Sequence, residues 1–403
     1  MERIALAFSP LRDASPRDII SWSRDAEERG YEAVFIPESY CDSLAYAEAV
    51  ALATSRLRVG TGVTNIYLRQ PTLLAAEAAA VHELSGGRLL LGVGVGHRAV
   101  NEPLGVDMSD PVGTMRSVIG TLRAAWTKGP TQPRPAVPPR ILAAALALRM
   151  IEVAGELADG VMFNLFPLTR YPRALAALRR GAARAGRDGA ALEVCHFTTC
   201  YLADDGQAAL HEARRMLARY ANLPFYGNML ARSGFAAEVE AIRAAWARRD
   251  VAAAERAVSD VLADAVTLVG DAPRCRERLV DGPVADAHAE QEPTARELLH
   301  RRGLGREQRR LAEIDVGHAR PDAKSVGRER DGPGVGERVA VRLGDEDRLV
   351  AALLGVPRPG DDVARRGVAQ RRECEGDPLH RVSIDQPGRS REDETVATCA
   401  YLG

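Results

Sequence analysis

The sequence predicts an α/β protein built as a (β/α)8 TIM barrel, and three observations predict it. Strand-like and helix-like stretches alternate from residue 3 to beyond residue 200. The strand-like stretches are nearly continuous apolar runs, the pattern of parallel strands covered by helices on both faces. Seven of them have passed by residue 202 without the doubled half of a dinucleotide-binding sheet, which favours a barrel over a doubly wound sheet.

Residues 3–9 (RIALAFS) form the first strand, stopped by Ser9-Pro10, and residues 16–29 carry a helical period closed by Gly30. Residues 33–37 (AVFIP) are a second buried strand, followed by a helix over 46–54. A third strand covers 57–64 (LRVGTGVT), and the helix over 71–84 ends at Ser85-Gly86-Gly87. The fourth strand is 88–96 (RLLLGVGVG). After a helix near 112–126 and a proline-rich turn over 130–139, residues 140–145 give the fifth strand and 150–157 a helix. Residues 160–164 (GVMFN) are the sixth strand, 173–185 a helix, and 192–202 (LEVCHFTTCYL) the seventh strand. Residues 208–263 read as long Ala- and Arg-rich helices. The eighth strand should follow residues 273–279, where the composition changes.

Every aromatic residue except Tyr401 precedes residue 280, and beyond it charged residues become denser while apolar ones survive only in short scraps. Such a segment buries little apolar surface against its ordering entropy. The chain therefore divides into a barrel over 1–280 and a low-order tail over 281–403. Only Lys128 and Lys324 are lysines among 54 basic residues, the mark of GC-rich coding DNA. In such DNA wrong frames stay open, so the tail reads as translation out of frame after a frameshift near codon 280. A genuine regulatory tail is the alternative.

A net charge of -1 argues against a nucleic-acid partner, and no apolar run approaches ~18 residues, so no membrane span is expected. Six cysteines without a C-x-x-C, and no evident leader, point to a reduced, cytoplasmic protein. Gly92, Gly94 and Gly96 fail the G-x-G-x-x-G fingerprint because position 97 is His97. At a strand's C-terminal end they instead allow close approach of a ligand ring, or else relieve crowding in the barrel. Gly60 and Gly62 do the same one strand earlier, and together the two clusters mark one concave site. Cys195 and His196 point to opposite faces of their strand, so no metal site is expected there. Glu38 and His97 lie just past strand ends, where catalytic residues of barrels collect. No G-x-S-x-G or P-loop occurs.

The segment 55–98, SRLRVGTGVTNIYLRQPTLLAAEAAAVHELSGGRLLLGVGVGHR, resembles the bacterial luciferase-like monooxygenase superfamily. It is most similar to the branch of oxidoreductases using the deazaflavin coenzyme F-420, which includes methylenetetrahydromethanopterin reductase. FIPESY at 35–40, RMIEVAGELADGVMFN at 149–164 and LVGDAPRCRERL at 268–279 extend the resemblance over residues 3–279. It implies a non-proline cis peptide at Gly62–Val63, in a bulge that supports the deazaflavin ring, with Thr64 beside it. It implies that Gly94, Val95, Gly96 and His97 line the same ring, and that Glu38 and Ser39 lie near its reactive edge. Asn164 matches the region that holds the cofactor's phosphate-bearing tail, with Arg149 and Arg170 as counter-charges.

The sequence also departs from the family pattern. Ser39 stands where some sugar-phosphate dehydrogenases of the superfamily carry a catalytic histidine, which argues against that chemistry. Ala147-Leu148 replaces the usual Gly-Pro before Arg149-Met150, Arg69-Gln70-Pro71 replaces Arg-His-Pro, and VDGPVADAHAEQEP replaces the closing helix and strand. The expected activity is hydride transfer between F-420 and a small organic substrate, with Glu38 and His97 handling the proton, in a homo-oligomer, most simply a dimer. An FMN-dependent monooxygenase and an inactive or merely cofactor-binding remnant are the alternatives.

Overall fold

The apolar runs of the sequence become the staves of a barrel. A computed structural model describes residues 3–8, 15–38, 41–129, 131–203, 205–280 and 397–402. Its strands are β1 (Arg3–Ala7), β2 (Ala33–Ile36), β3 (Arg58–Thr61), β4 (Thr64–Asn65), β5 (Leu89–Gly94), β6 (Arg140–Ala144), β7 (Gly160–Asn164), β8 (Glu193–Leu202), β9 (Thr267–Gly270) and β10 (Ala397–Leu402). The helices that follow the strands are α1 (Pro16–Glu28), α2 (Ser43–Ala53), α3 (Pro71–Leu84), α4 (Arg98–Asn101), α5 (Pro111–Thr127), α6 (Leu148–Leu157) and α7 (Tyr171–Arg184). Between β8 and β9 lie α8 (Gly206–Asn222), α9 (Pro224–Leu230), α10 (Ala236–Ala247), α11 (Val251–Arg256) and α12 (Asp260–Val266), and α13 (Ala272–Val280) follows β9. Several helix starts are set by local chemistry. Ser15 and Asp18 form a reciprocal cap at α1, and Asp42 accepts from the N–H groups of Leu44 and Ala45 at α2.

Strands β1, β2, β3, β5, β6, β7 and β8 run parallel in that order, β9 adds in parallel to the end of β8, and β4 pairs with β5. The fold is a TIM barrel. The slot between β1 and β8 is where the sequence reading puts a parallel eighth strand. It is instead filled by β10, antiparallel to both, with Leu6 opposite Cys399 and Phe197 opposite Ala400. An open strand edge offers its N–H and C=O groups to a partner of either direction, so an antiparallel segment can close it. Residues 281–396 and 403, on which the out-of-frame reading falls, lie outside the described residues.

Side chains of the strands separate two layers. Ala5, Ala7, Ala33, Phe35, Leu90, Leu142, Met162, Cys195 and Phe197 pack inside the barrel, whereas the larger apolar cluster lies between strands and helices. At the strands' N-terminal ends the Glu193 carboxylate is buried between Arg58, at 3.1 Å, and Arg140, at 3.0 Å. That pairing leaves no uncompensated charge at the barrel floor. The opposite end, where strands run into loops, is left for the site. No described helix is long and apolar enough to cross a membrane.

Candidate functional site

The site grows from a break in the third stave. β3 stops at Thr61, the Gly62–Val63 peptide is cis, and β4 resumes against β5 with Thr64 opposite Val93 and Asn65 opposite Gly94. Glycine is required on both sides of this bulge. A Cβ on Gly92 would lie 1.9 Å from the Thr61 carbonyl oxygen, and one on Gly94 would lie 2.4 Å from Val63 Cγ2. A Cβ on Gly62 would meet Phe197 Cζ at 2.8 Å. The bulge therefore rests on Phe197, and Val63 covers Gly94. Behind it, Thr64 Oγ1 and Ser43 Oγ share a hydrogen bond of 3.0 Å.

Glu38, two residues past β2, holds this bulge. One carboxylate oxygen accepts the Asn65 backbone N–H, and the other accepts from the Arg69 guanidinium. Arg69 reaches Asp42 as well, at 2.8 Å. Burial pushes the Glu38 carboxyl above its usual range, against the opposing pull of the Asn65 N–H and Arg69. Asn65 Nδ2 donates to Asn101 Oδ1 at 2.8 Å, and Asn101 Nδ2 donates to the Val95 carbonyl at 2.9 Å. Gly96, at φ +63°, leaves room for Asn65 Nδ2, which a Cβ would approach to 2.5 Å. Glu38, Asn65 and Asn101 thus tie the bulge to the turn of Gly94, Val95, Gly96 and His97.

His97 completes the turn and begins α4, yet its ring makes no capping bond and no hydrogen bond among the described residues. Its imidazole packs against Tyr226 and Tyr220, with ring centroids 5.8 and 6.4 Å away. Desolvation lowers its pKa, so the ring is held neutral. Asn164, the last residue of β7, joins this group by donating from Nδ2 to the Tyr226 hydroxyl at 2.7 Å.

Arg170 and Arg149 follow β7 and β6. Arg170 stacks over Phe166 and approaches the Arg232 carbonyl and Ser233, while its Nε is buried without a partner among the described residues. Burial first, and then the charges of Arg173 and Arg232, lower its pKa, and no carboxylate pairs with it among the described residues. Arg149 is exposed in the first turn of α6. Ser39 lies outside the described residues. His196, by contrast, faces the helices and bonds Tyr171 through Nδ1, at 2.6 Å, as a core residue. Asn65, Asn101, Arg69 and Tyr226 were not evident from sequence. Asn65 and Arg69 sit inside the quoted motif, but only the fold reveals what they touch.

Gly62, Val63, Val95, Gly96, His97, Ala144 and Asn164 are all half-buried at strand ends, forming a floor with few projecting side chains. That floor suits a flat ring, and the unsatisfied Arg170 suits an anionic tail; the residues present fit a deazaflavin or flavin cofactor. Comparison with known proteins agrees. The profile of the luciferase-like monooxygenases matches residues 5–291.

The chain belongs to the luciferase-like monooxygenase family.

A 5,10-methylenetetrahydromethanopterin reductase of Methanolobus tindarius is 28% identical over 278 residues, covering 65% of this chain and 85% of that protein. The coenzyme F-420-dependent tetrahydromethanopterin reductase of Methanopyrus kandleri has the same fold, with a TM-score of 0.60 at 22% identity over 70% of this chain and 89% of the other. An F-420-dependent secondary alcohol dehydrogenase, solved with an F-420–acetone adduct, superposes with a TM-score of 0.55 at 18% identity, covering 69% and 89%. This luciferase-like chain is an enzyme, an oxidoreductase of the F-420- or flavin-dependent kind.

Proposed function

We propose that the protein transfers hydride between coenzyme F-420 and a small organic substrate in the cytoplasm. The observation that carries this reading is the single hydrogen-bonded unit that joins the Gly62–Val63 bulge to the Gly94–His97 turn. Gly62, Val63, Thr64, Gly94, Val95 and Gly96 would line the ring; the assignment of Ser39 to its edge rests on the sequence resemblance alone. Arg170, Arg149 and Asn164 would face the anionic tail. Bound there, the deazaflavin supplies or accepts the hydride, and the protein orients it and excludes water. Neutral His97, whose ring nitrogens have no hydrogen-bond partner among the described residues, takes the substrate's proton and in its protonated form returns it. Glu38 holds the bulge from behind and sets the electrostatics beneath the ring. FMN would fit the same floor, and the family's monooxygenases make oxygen-dependent chemistry the second reading. Anaerobic turnover with F-420 and none with FMN supports the first; oxygen-dependent turnover with FMN alone overturns it. Turnover with neither makes the chain an inactive remnant.

We further propose that catalysis resides in residues 1–280 and that the enzyme is a dimer through α2 and α3. The outward faces of these helices carry Ala45, Ala49, Leu52, Leu73, Ala76 and Leu84, with Leu52 64% and Leu73 57% exposed. Helices apolar on their outer face need a partner. A solution mass of one chain would exclude the dimer.

A further inference from the structure

We propose that Tyr226 binds the substrate directly, donating its phenolic hydrogen to an oxygen held between it and His97, and that Asn164 is the positioning residue that aims it. The inference rests on the hydride-transfer reading above and adds the substrate class, a ketone or the corresponding secondary alcohol.

Three observations support it. Tyr226 is only 7% exposed, and α9 brings its hydroxyl to Asn164 at the end of β7 and its ring beside His97. A phenol has one donor and two acceptor sites. Asn164 Nδ2 occupies one acceptor site at 2.7 Å, and no described residue accepts the phenolic proton. Buried tyrosine hydroxyls ordinarily find partners, so a donor left over at the mouth of a site is aimed at what enters it. His97 stands alongside with the complementary deficit, its neutral ring having one donor and one acceptor and no partner for either among the described residues. No hydrogen bond links the two rings.

A carbonyl oxygen satisfies both groups, because it accepts from the phenol and from the imidazole N–H together. A secondary alcohol does so too, accepting from Tyr226 and donating to the unprotonated nitrogen of His97. An ammonium group satisfies neither donor. The proton balance follows for alcohol oxidation. The alcohol O–H proton moves to His97, and its electron pair forms the C=O π bond. Hydride leaves the carbinol carbon for oxidised deazaflavin, and Tyr226 keeps its proton throughout. Reduction of a ketone reverses each transfer once His97 has taken a proton from solvent, and the imidazolium then gives that proton to the oxygen as hydride reaches the carbonyl carbon. The Asn164 amide thereby acts on the substrate through Tyr226, its hydrogen-bond partner at 2.7 Å, and holding the cofactor tail falls to Arg170 and Arg149.

The test uses the full chain with acetophenone as probe, read by isotope-edited infrared difference spectra of the bound carbonyl, with and without F-420. The wild type should show a downshifted carbonyl band, Tyr226→Phe should move it part of the way back because the His97 N–H still donates, and Tyr226→Phe combined with His97→Ala should return it to the unbonded position. F-420 affinity, by fluorescence quenching, should stay within about twofold, while kcat for acetophenone reduction falls about 10²–10³-fold, the loss typical of one oxyanion donor. Asn164→Asp should be worse than Asn164→Ala, because a carboxylate accepts the phenolic proton and turns it from the substrate. A structural role predicts no such order. Absence of a shifted band in the wild type overturns the proposal, as does a band whose position Tyr226→Phe leaves unmoved. A tenfold loss of F-420 affinity in both Asn164 variants would return Asn164 to the cofactor tail. If FMN alone supports turnover, the hydride-transfer reading fails, and the band still reports on Tyr226.

Discussion

Replacing Gly62 with valine should cost cofactor binding through a clash beneath the bulge. A Cβ at this position would lie 2.8 Å from Phe197 Cζ, 3.3 Å from its Cε1 and 3.4 Å from Phe35 Cβ, where ordinary contact begins at 3.4 Å. The wall must therefore yield by about 0.6 Å for alanine alone, and valine adds two further carbons. Phe197 cannot retreat easily, since it packs edge-on against Phe35 with centroids 5.3 Å apart inside the barrel. Overpacking of this kind costs ~1–3 kcal/mol. If the bulge rather than the ring gives way, that cost appears as a five- to 150-fold weaker cofactor Kd, at about 1.4 kcal/mol per tenfold. Fluorescence-quenching titration measures the affinity, and far-UV circular dichroism checks that the barrel persists. Adding Phe197→Leu should recover part of the loss, because it removes the atoms that clash. Gly62→Val with wild-type affinity and a native spectrum would refute the placement of the cofactor ring on this bulge.

His97→Ala should lower turnover by about 10²–10⁴-fold and Glu38→Gln by less, each with a smaller effect on cofactor Kd; wild-type turnover in both would remove His97 from proton handling and Glu38 from the electrostatics of the ring. Burial holds His196 neutral down to about pH 3, whereas the unfolded chain takes up that proton near pH 6.5. Stability should therefore fall by about 1.4 kcal/mol per pH unit as the pH drops below 6.5. Denaturant melts at pH 6 and pH 5 should show a shallower fall for His196→Phe, and equal slopes would exclude this source. Deleting residues 397–403 leaves β1 and β8 without their antiparallel partner and should lower the melting temperature; an unchanged melt would mean that β10 does not close the barrel.

Much of the fold was legible because parallel barrel strands are apolar on both faces. Residues 140–145 and 160–164 gave β6 and β7 almost to the residue, and helix stops at Gly30 and Gly86 were plain. β9, only four residues long, was hidden between α12 and α13. β10 escaped because its partners in β1 lie almost four hundred residues away, and no local period encodes such a pairing. The glycine clusters pointed correctly to one rim, since crowding at Gly92 and Gly94 constrains residue type directly. What Glu38 touches could not be read in that way. Its partners Asn65 and Arg69 lie 27 and 31 residues on, and only the packing of β2 against β3 brings them together. Tyr226 was concealed by its setting, an Ala- and Arg-rich stretch whose short helix carries no motif.

The central claim is that the bulge and turn hold a deazaflavin for hydride transfer. Anaerobic titration of the purified full chain with F-420 and with FMN, followed by turnover with each reduced cofactor, tests it most directly. The expected result is quenching of F-420 fluorescence at a stoichiometry of one per chain, with five- to 150-fold weaker binding in Gly62→Val and turnover that needs no oxygen. Tight binding of FMN without binding of F-420, or F-420 binding that Gly62→Val leaves untouched, would contradict it.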